Sequence, residues 1–260
     1  MEFVAHFQGI HMLRHPGSNG LYGYEALLRG PHGTSLENPA NIFSEARNRG
    51  RLPELDLQSF KLAARTFASN DPGGFLFVNL FPETFSSAEM APESFLQFLR
   101  EIGLPPARLV IELVEDQRMS NACVVRQTLE AMAQEGVRFA LDDFGAGVGD
   151  LERWVELEPH IVKVDRALLK NIATDRRRQQ LLKSIEFMVE GTSSMLLCEG
   201  VESTEDAFWL NQNTDILLCQ GYHFSRPTTI ESIQKVFDTP TPHHMRQRRE
   251  VQQRTVACPD

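Results

Sequence analysis

Polar side chains recur at the same place in one apolar run after another. Asn79 closes the run 75–79, Glu112 sits within 108–115, Asp142 and Asp143 end 137–143, Lys163 ends 160–163, Glu199 ends 194–199 and Gln220 ends 215–220. Glu25 lies in a further run, 21–29, four residues before Arg29. A single buried carboxylate has an ordinary explanation, since it can be paired or hydrogen-bonded inside a fold. Glu25, Glu112, Asp142, Asp143 and Glu199 gathered in one pocket would repel one another by on the order of several kcal/mol unless cations sat among them. The economical inference is bound divalent metal. The strand ends offer carboxylate and amide oxygens and neither histidine nor cysteine, a donor set that favours Mg²⁺ or Mn²⁺ over zinc. Two such ions in a carboxylate pocket suit the hydrolysis of a phosphodiester: they acidify a bridging water, clamp the phosphate and offset charge on the leaving oxygen. Arg29 adds a candidate phosphate contact.

Such a pocket requires a scaffold that brings strand ends together. Seven strand-length runs, at 21–29, 75–80, 108–115, 137–143, 160–165, 194–200 and 215–221, alternate with stretches of helical periodicity, and an opening run at 2–13 brings the strands to eight. That alternation predicts an α/β barrel, a fold that commonly takes about 250 residues, and the chain has 260. Helices are expected over 55–68, 93–102, 124–135, 166–189 and 204–212, with Pro39, Pro53, Pro92 and Pro159 at element edges, where a fixed φ does least harm. The C-terminal rim of such a barrel is where strand-end polar groups converge. One domain is expected over 1–238, followed by a polar, flexible tail over 239–260 that carries Arg246, Arg248 and Arg249.

The bulk numbers exclude several classes. An apolar share of 42% with 23% charged residues is that of a globular protein with a sizeable core. A net charge of −9 argues against a surface that coats DNA or RNA, so an anionic small substrate would need local cations. The four cysteines, at 123, 198, 219 and 258, form no CxxC pair and no disulfide framework, which points to reduced thiols in the cytoplasm. Cys198 and Cys219 read as small core residues. The N-terminus is broken by His6, Gln8, His11 and Arg14 and lacks the apolar core of a signal peptide, and nowhere is there a run of about 18 apolar residues. No sensory or receiver segment is recognisable, so a regulator would act on this domain directly or lie on a protein partner. His6, His11 and His223 lack metal-ligand spacing and read as packing or hydrogen-bonding residues. Asp143-Phe144-Gly145 spells the kinase DFG without its companion motifs, and Gly145, Gly147 and Gly149 do not have dinucleotide-loop spacing.

Taken in order, the motifs resemble one family. Tyr24-Glu25-Ala26-Leu27-Leu28-Arg29 is similar to the signature of the EAL domain, and Asp142-Asp143-Phe144-Gly145-Ala146-Gly147 to that family's DDFG loop. Val78-Asn79-Leu80, Glu112-Leu113-Val114-Glu115, Val162-Lys163-Val164-Asp165, Glu199-Gly200-Val201-Glu202 and Gln220-Gly221-Tyr222-His223-Phe224 match its other motifs in the same order, over about residues 3–237. The resemblance implies a modified (β/α)₈ TIM-type barrel with an antiparallel first strand, and hydrolysis of cyclic di-GMP to linear pGpG with two Mg²⁺ or Mn²⁺ ions. It implies that Glu25, Asn79, Glu112, Asp142, Asp143 and Glu199 hold metal, that Lys163 orients the attacking water, and that Gln220 and Glu202 support the metal and water shell. Arg29 would hold the phosphate, Gln8 would meet a guanine, Glu115 would brace the loop after Asp143, and the chain would form a homodimer near that loop.

Some positions depart from the family pattern. The loop reads DDFGAGVGDL where the family usually has DDFGTGYSSL, so Gly149 and Asp150 stand in place of small hydroxyl residues. Gly9 replaces a proline after Gln8, Phe81 a serine and Gly30 a common tryptophan. The altered loop leaves open a second reading: a catalytically weak or inactive cyclic di-GMP receptor that signals through a protein partner. A nucleotide-independent interaction module, suggested by the basic tail, is a third.

Overall fold

Parallel strands apolar on both faces must be covered on both sides, and a closed ring of them ringed by helices does this. The computed structural model of the chain describes residues 3–14, 20–114, 122–147 and 149–238. Its strands are β1 (Val4–Met12), β2 (Leu21–Arg29), β3 (Phe75–Leu80), β4 (Leu109–Leu113), β5 (Arg138–Phe144), β6 (Ile161–Val164), β7 (Met195–Cys198) and β8 (Leu218–Gln220). They close in chain order into one barrel. β1 pairs antiparallel with both β2 and β8, and every other neighbour is parallel, as the resemblance implies. The expectation for the tail over 239–260 lies outside the described residues.

Inside the ring, Ile10, Phe77, Val110, Ala140, Ile161, Leu197 and Leu218 form one buried apolar layer. Towards the N-terminal ends of β3 and β5, Arg138 donates to Tyr22 Oη at 2.9 Å and lies 4.6 Å over the Phe75 ring, which plugs that end. The inner layer fixes what lies above it, because strand side chains two residues apart share a face. In β4, Val110 points inward while Leu109 and Ile111 pack against the outer helices, so Glu112 must point inward too. The same step leads from Phe77 to Asn79, Ala140 to Asp142, Ile161 to Lys163, Leu197 to Glu199 and Leu218 to Gln220. β1 runs the other way, so its polar residue precedes the apolar one, and Gln8 stands two residues before Ile10.

The outer helices are α1 (Pro39–Asn48), α2 (Leu52–Asn70), α3 (Pro92–Ile102), α4 (Ala122–Gln134), α5 (Asp150–Leu157), α6 (Arg166–Leu169), α7 (Arg176–Val189), α8 (Thr204–Asn213) and α9 (Ile230–Asp238). α1, α5 and α9 were not among the expected helices. The stretch 166–189, expected as one helix, is two. Asn171 takes a left-handed φ of 60°, and Asp175 caps α7 by accepting from Arg177 and Arg178 N–H. Polar capping chemistry therefore overrides the continuous apolar periodicity there. No described helix is long and apolar enough to cross a membrane.

One acid sits on the core face of α2, in line with Leu52, Leu57, Phe60, Ala63, Ala64 and Phe67. Asp56 is 1% exposed, and its Oδ2 accepts from Phe81 N–H at 2.8 Å and from Thr84 Oγ at 2.7 Å. It thereby ties α2 to the turn that follows Asn79. Burial pushes its carboxyl up to about 7, against the opposing effect of those two hydrogen bonds. A carboxyl that binds its proton more tightly in the folded than in the unfolded chain adds most stability below its unfolded pKa, and that contribution is lost as pH rises to the folded one. Stability should therefore fall between about pH 4 and 7 by on the order of a few kcal/mol through this group, and Asp56→Asn should remove that part of the slope. Urea unfolding of both proteins across this range tests it; identical slopes would refute the assignment.

Candidate metal centre

At the mouth opposite the Tyr22 plug, the inward polar side chains meet in two linked sets. Glu25 stands across from Gln8 in the β1–β2 ladder and is 8% exposed. Its Oε1 accepts from Asn79 Nδ2 at 2.9 Å and its Oε2 from Gln220 Nε2 at 2.6 Å. The second set centres on Lys163, 1% exposed, whose Nζ lies 2.8 Å from Glu112 Oε2, 2.8 Å from Asp142 Oδ1 and 2.7 Å from Glu199 Oε1. An ammonium with its stem in an apolar layer would ordinarily lose its charge. Burial does oppose it here, but Asp142, Glu112, Glu199 and Glu25 outweigh burial and hold the lysine well above its usual range. Glu112, fully buried, is raised by desolvation, partly relieved by Lys163 and reinforced by Glu25, Asp142 and Glu199. Glu199 is pushed up to about 8, first by burial.

Asp142 and Asp143 reach the same mouth through a bulge. Period-two geometry would send Asp143 outward with Leu141. The β5–β6 register shifts between Leu141 and Phe144, and Asp143 takes a φ of 54°, so Phe144 returns to the outer core and both acids stay at the rim. Oxygens of Asp142, Asp143 and Glu199 lie within 4.8 Å of one another, a grouping that could hold a cation. Among the described residues, buried Glu112 Oε1 and Gln220 Oε1 have no hydrogen-bond partner, which is the expected state of oxygens that face an ion. Four carboxylates face one ammonium with Asp143 beside two of them, all donors are hard oxygens or amides, and the set fits a divalent ion of the Mg²⁺ or Mn²⁺ type.

The remaining expected residues are distributed unevenly. Gln8 is buried and committed: its Nε2 donates to Ser225 O at 2.9 Å and its Oε1 accepts from Gln220 at 3.3 Å, so its guanine contact rests on the resemblance alone. Arg29 is half-buried at the end of β2, donates to Leu28 O, and lies in the fields of Glu25 and Tyr222. Glu202 pairs with Arg166 of α6 at 3.1 Å, with both side chains about half exposed, and reaches none of the acids by a described bond. Glu115 lies outside the described residues.

Ser225 is a contact that sequence reasoning missed. Gly9 N–H donates to its Oγ at 3.1 Å, a bond that a proline could not make, and a Cβ on Gly9 would stand 2.7 Å from His11 Nε2. His11 stacks on Phe224 at 5.0 Å, and burial, then His223, lowers its pKa to about 4. Gln8, Gly9 and His11 thus clamp the loop after Gln220. A break in the usual Gln-Pro pairing was the only sequence signal for it.

Lys163→Met would leave Glu112, Asp142 and Glu199 without their cation. Removing one partner of a buried pair typically costs about 3–5 kcal/mol, so metal-free protein should melt lower. Mn²⁺ should restore more stability to the variant than it adds to the wild type. Equal melting of the two metal-free proteins would contradict the hub role.

Comparisons with known proteins agree with this geometry. The EAL domain family model matches residues 1–227. The chain is 28% identical over 239 residues to the cyclic di-GMP phosphodiesterase NbdA of Pseudomonas aeruginosa, covering 90% of this chain and 30% of that protein. It is 29% identical over 231 residues to RocR, another cyclic di-GMP phosphodiesterase of that organism, covering 87% and 57%. It spans about a third of the length of the curated relatives it matches first. Among solved structures, a standalone EAL protein of Vibrio cholerae O395 in its c-di-GMP-bound form superposes with a TM-score of 0.76 at 27% identity, covering 87% of this chain and 92% of that one. BlrP1 of Klebsiella pneumoniae, as a manganese and cyclic di-GMP complex, gives 0.75 at 27% identity, covering 88% and 56%. With its barrel closed by an antiparallel first strand and its acids at one mouth, the chain belongs to the EAL domain family.

Proposed function

We propose that this chain hydrolyses cyclic di-GMP to linear pGpG in a metal-dependent reaction. The observation that carries the reading is the convergence of Glu25, Glu112, Asp142 and Glu199 around one buried ammonium, with Asp143 beside Asp142 and Glu199 and with Glu112 Oε1 and Gln220 Oε1 unpartnered among the described residues. Relatives named as cyclic di-GMP phosphodiesterases, and similar structures that hold the nucleotide with manganese or calcium, support it. Glu25, Asn79, Glu112, Asp142, Asp143 and Glu199 would hold two Mg²⁺ or Mn²⁺ ions. When bound, such ions acidify water and neutralise phosphate charge. The protein's own groups do the positioning. Asn79 and Gln220 fix both oxygens of Glu25. Lys163, locked by three carboxylates, is a donor that orients water or a phosphate oxygen and does not take up the proton. Arg29 would donate to a phosphate oxygen. Water adds at phosphorus, one ester P–O bond breaks, and the ribose oxygen that leaves takes a proton. The resemblance supports a homodimer, and the cysteine pattern a cytoplasmic setting.

The alternative, a receptor that binds cyclic di-GMP without turnover, rests on the departures at Gly149 and Asp150. Incubation of excess enzyme with cyclic di-GMP in Mg²⁺ and in Mn²⁺ separates the two. Hydrolysis should yield pGpG, and Glu25→Ala should lower the rate by more than about 100-fold while the fold persists. Tight binding with no product in either metal would establish the receptor instead.

A further inference from the structure

Asp150 opens α5 at the far end of the loop that leaves Asp142 and Asp143. Its carboxylate is 7% exposed and turns away from its own helix. Oδ2 accepts from Gly145 N–H at 2.7 Å and from Gly147 N–H at 3.3 Å. An acid in a first helical turn ordinarily serves that helix's free amides or its dipole. Here the bonds run to the loop instead, and α5 has no side-chain cap.

The neighbouring glycine makes this possible. Gly149 has a φ of 98°, and among the described residues an added Cβ would meet nothing within 4 Å, so what glycine supplies there is conformation. That left-handed turn swings the first residue of α5 back over the loop. The two positions that depart from the family's small hydroxyls therefore operate as a pair: one provides the turn, the other a carboxyl oxygen as acceptor. A carboxylate binds amide N–H groups more strongly than a neutral hydroxyl.

We infer that Asp150 is a positioning residue for the Asp142–Asp143 pair. By tying Gly145 and Gly147 to α5, it holds the backbone just beyond the bulge and keeps both carboxylates at the mouth before any ion arrives. Partners that orient ligands in this way typically contribute about 10- to 100-fold to metal affinity. The inference rests on the proposal that these acids bind divalent metal.

The test is Mn²⁺ titration by calorimetry on the full chain without nucleotide, for wild type, Asp150→Ala and Asp150→Asn. Asp150→Ala should bind Mn²⁺ about 10- to 100-fold more weakly. Asp150→Asn, whose amide oxygen can still accept both N–H groups, should recover most of the loss. In turnover, the alanine variant should need more Mn²⁺ for half-maximal rate while its kcat at saturating Mn²⁺ stays near that of wild type, a split that general destabilisation does not produce. Should the alanine variant fail to fold, Gly149→Ala carries the same comparison, since it strains the turn without a clash among the described residues. Wild type that takes up no Mn²⁺ would overturn the metal centre itself. Wild type that binds while the variants match it would overturn only the role of Asp150.

Discussion

Like charges brought close together in a dry place must be neutralised, and the rest of this molecule is arranged around that constraint. Lys163 supplies one positive charge to Glu112, Asp142 and Glu199 at 2.7–2.8 Å, and Glu25 lies in the same field. One ammonium cannot balance these four carboxylates, with Asp143 beside them. The deficit appears as Glu112 and Glu199 held above their ordinary range and as oxygens without partners. A divalent cation would relieve all of these at once, which ties the electrostatics of the mouth to the chemistry proposed for it.

Geometry comes from the simplest property of a strand. The inner apolar layer fixes the face, and period-two alternation places the polar residue one step nearer the mouth. Six strands obey this in the parallel direction. β1 obeys it in reverse, so Gln8 comes to Glu25 and Gln220 and completes the ring. The bulge at Asp143 is the one place where the mouth needs two adjacent side chains, and the strand breaks its alternation to supply them.

Much of this was legible in the sequence because alternation and strand-end chemistry are local. The eight strands, the inward acids and the antiparallel first strand, the last implied by the family resemblance, all stand in the structure. What could not be read is what depends on distant partners or on backbone conformation. The clamp of Gln8 and Gly9 on Ser225 joins residues more than 200 positions apart. Glu202, which the resemblance assigns to the metal and water shell, has Arg166 of a neighbouring helix as its partner. The break at Asn171 needed a left-handed residue that periodicity does not register. Asp56 did leave a trace, as the one charge on an apolar helix face, though only the fold shows which turn it holds.

Crystals of the chain grown with Mn²⁺, with data collected at the manganese absorption edge, address the central claim directly. Anomalous peaks bounded by Glu25, Asn79, Glu112, Asp142, Asp143 and Glu199, with Lys163 still at their side, are the expected result. A mouth without anomalous signal, in which Lys163 alone holds the acids together, would contradict it.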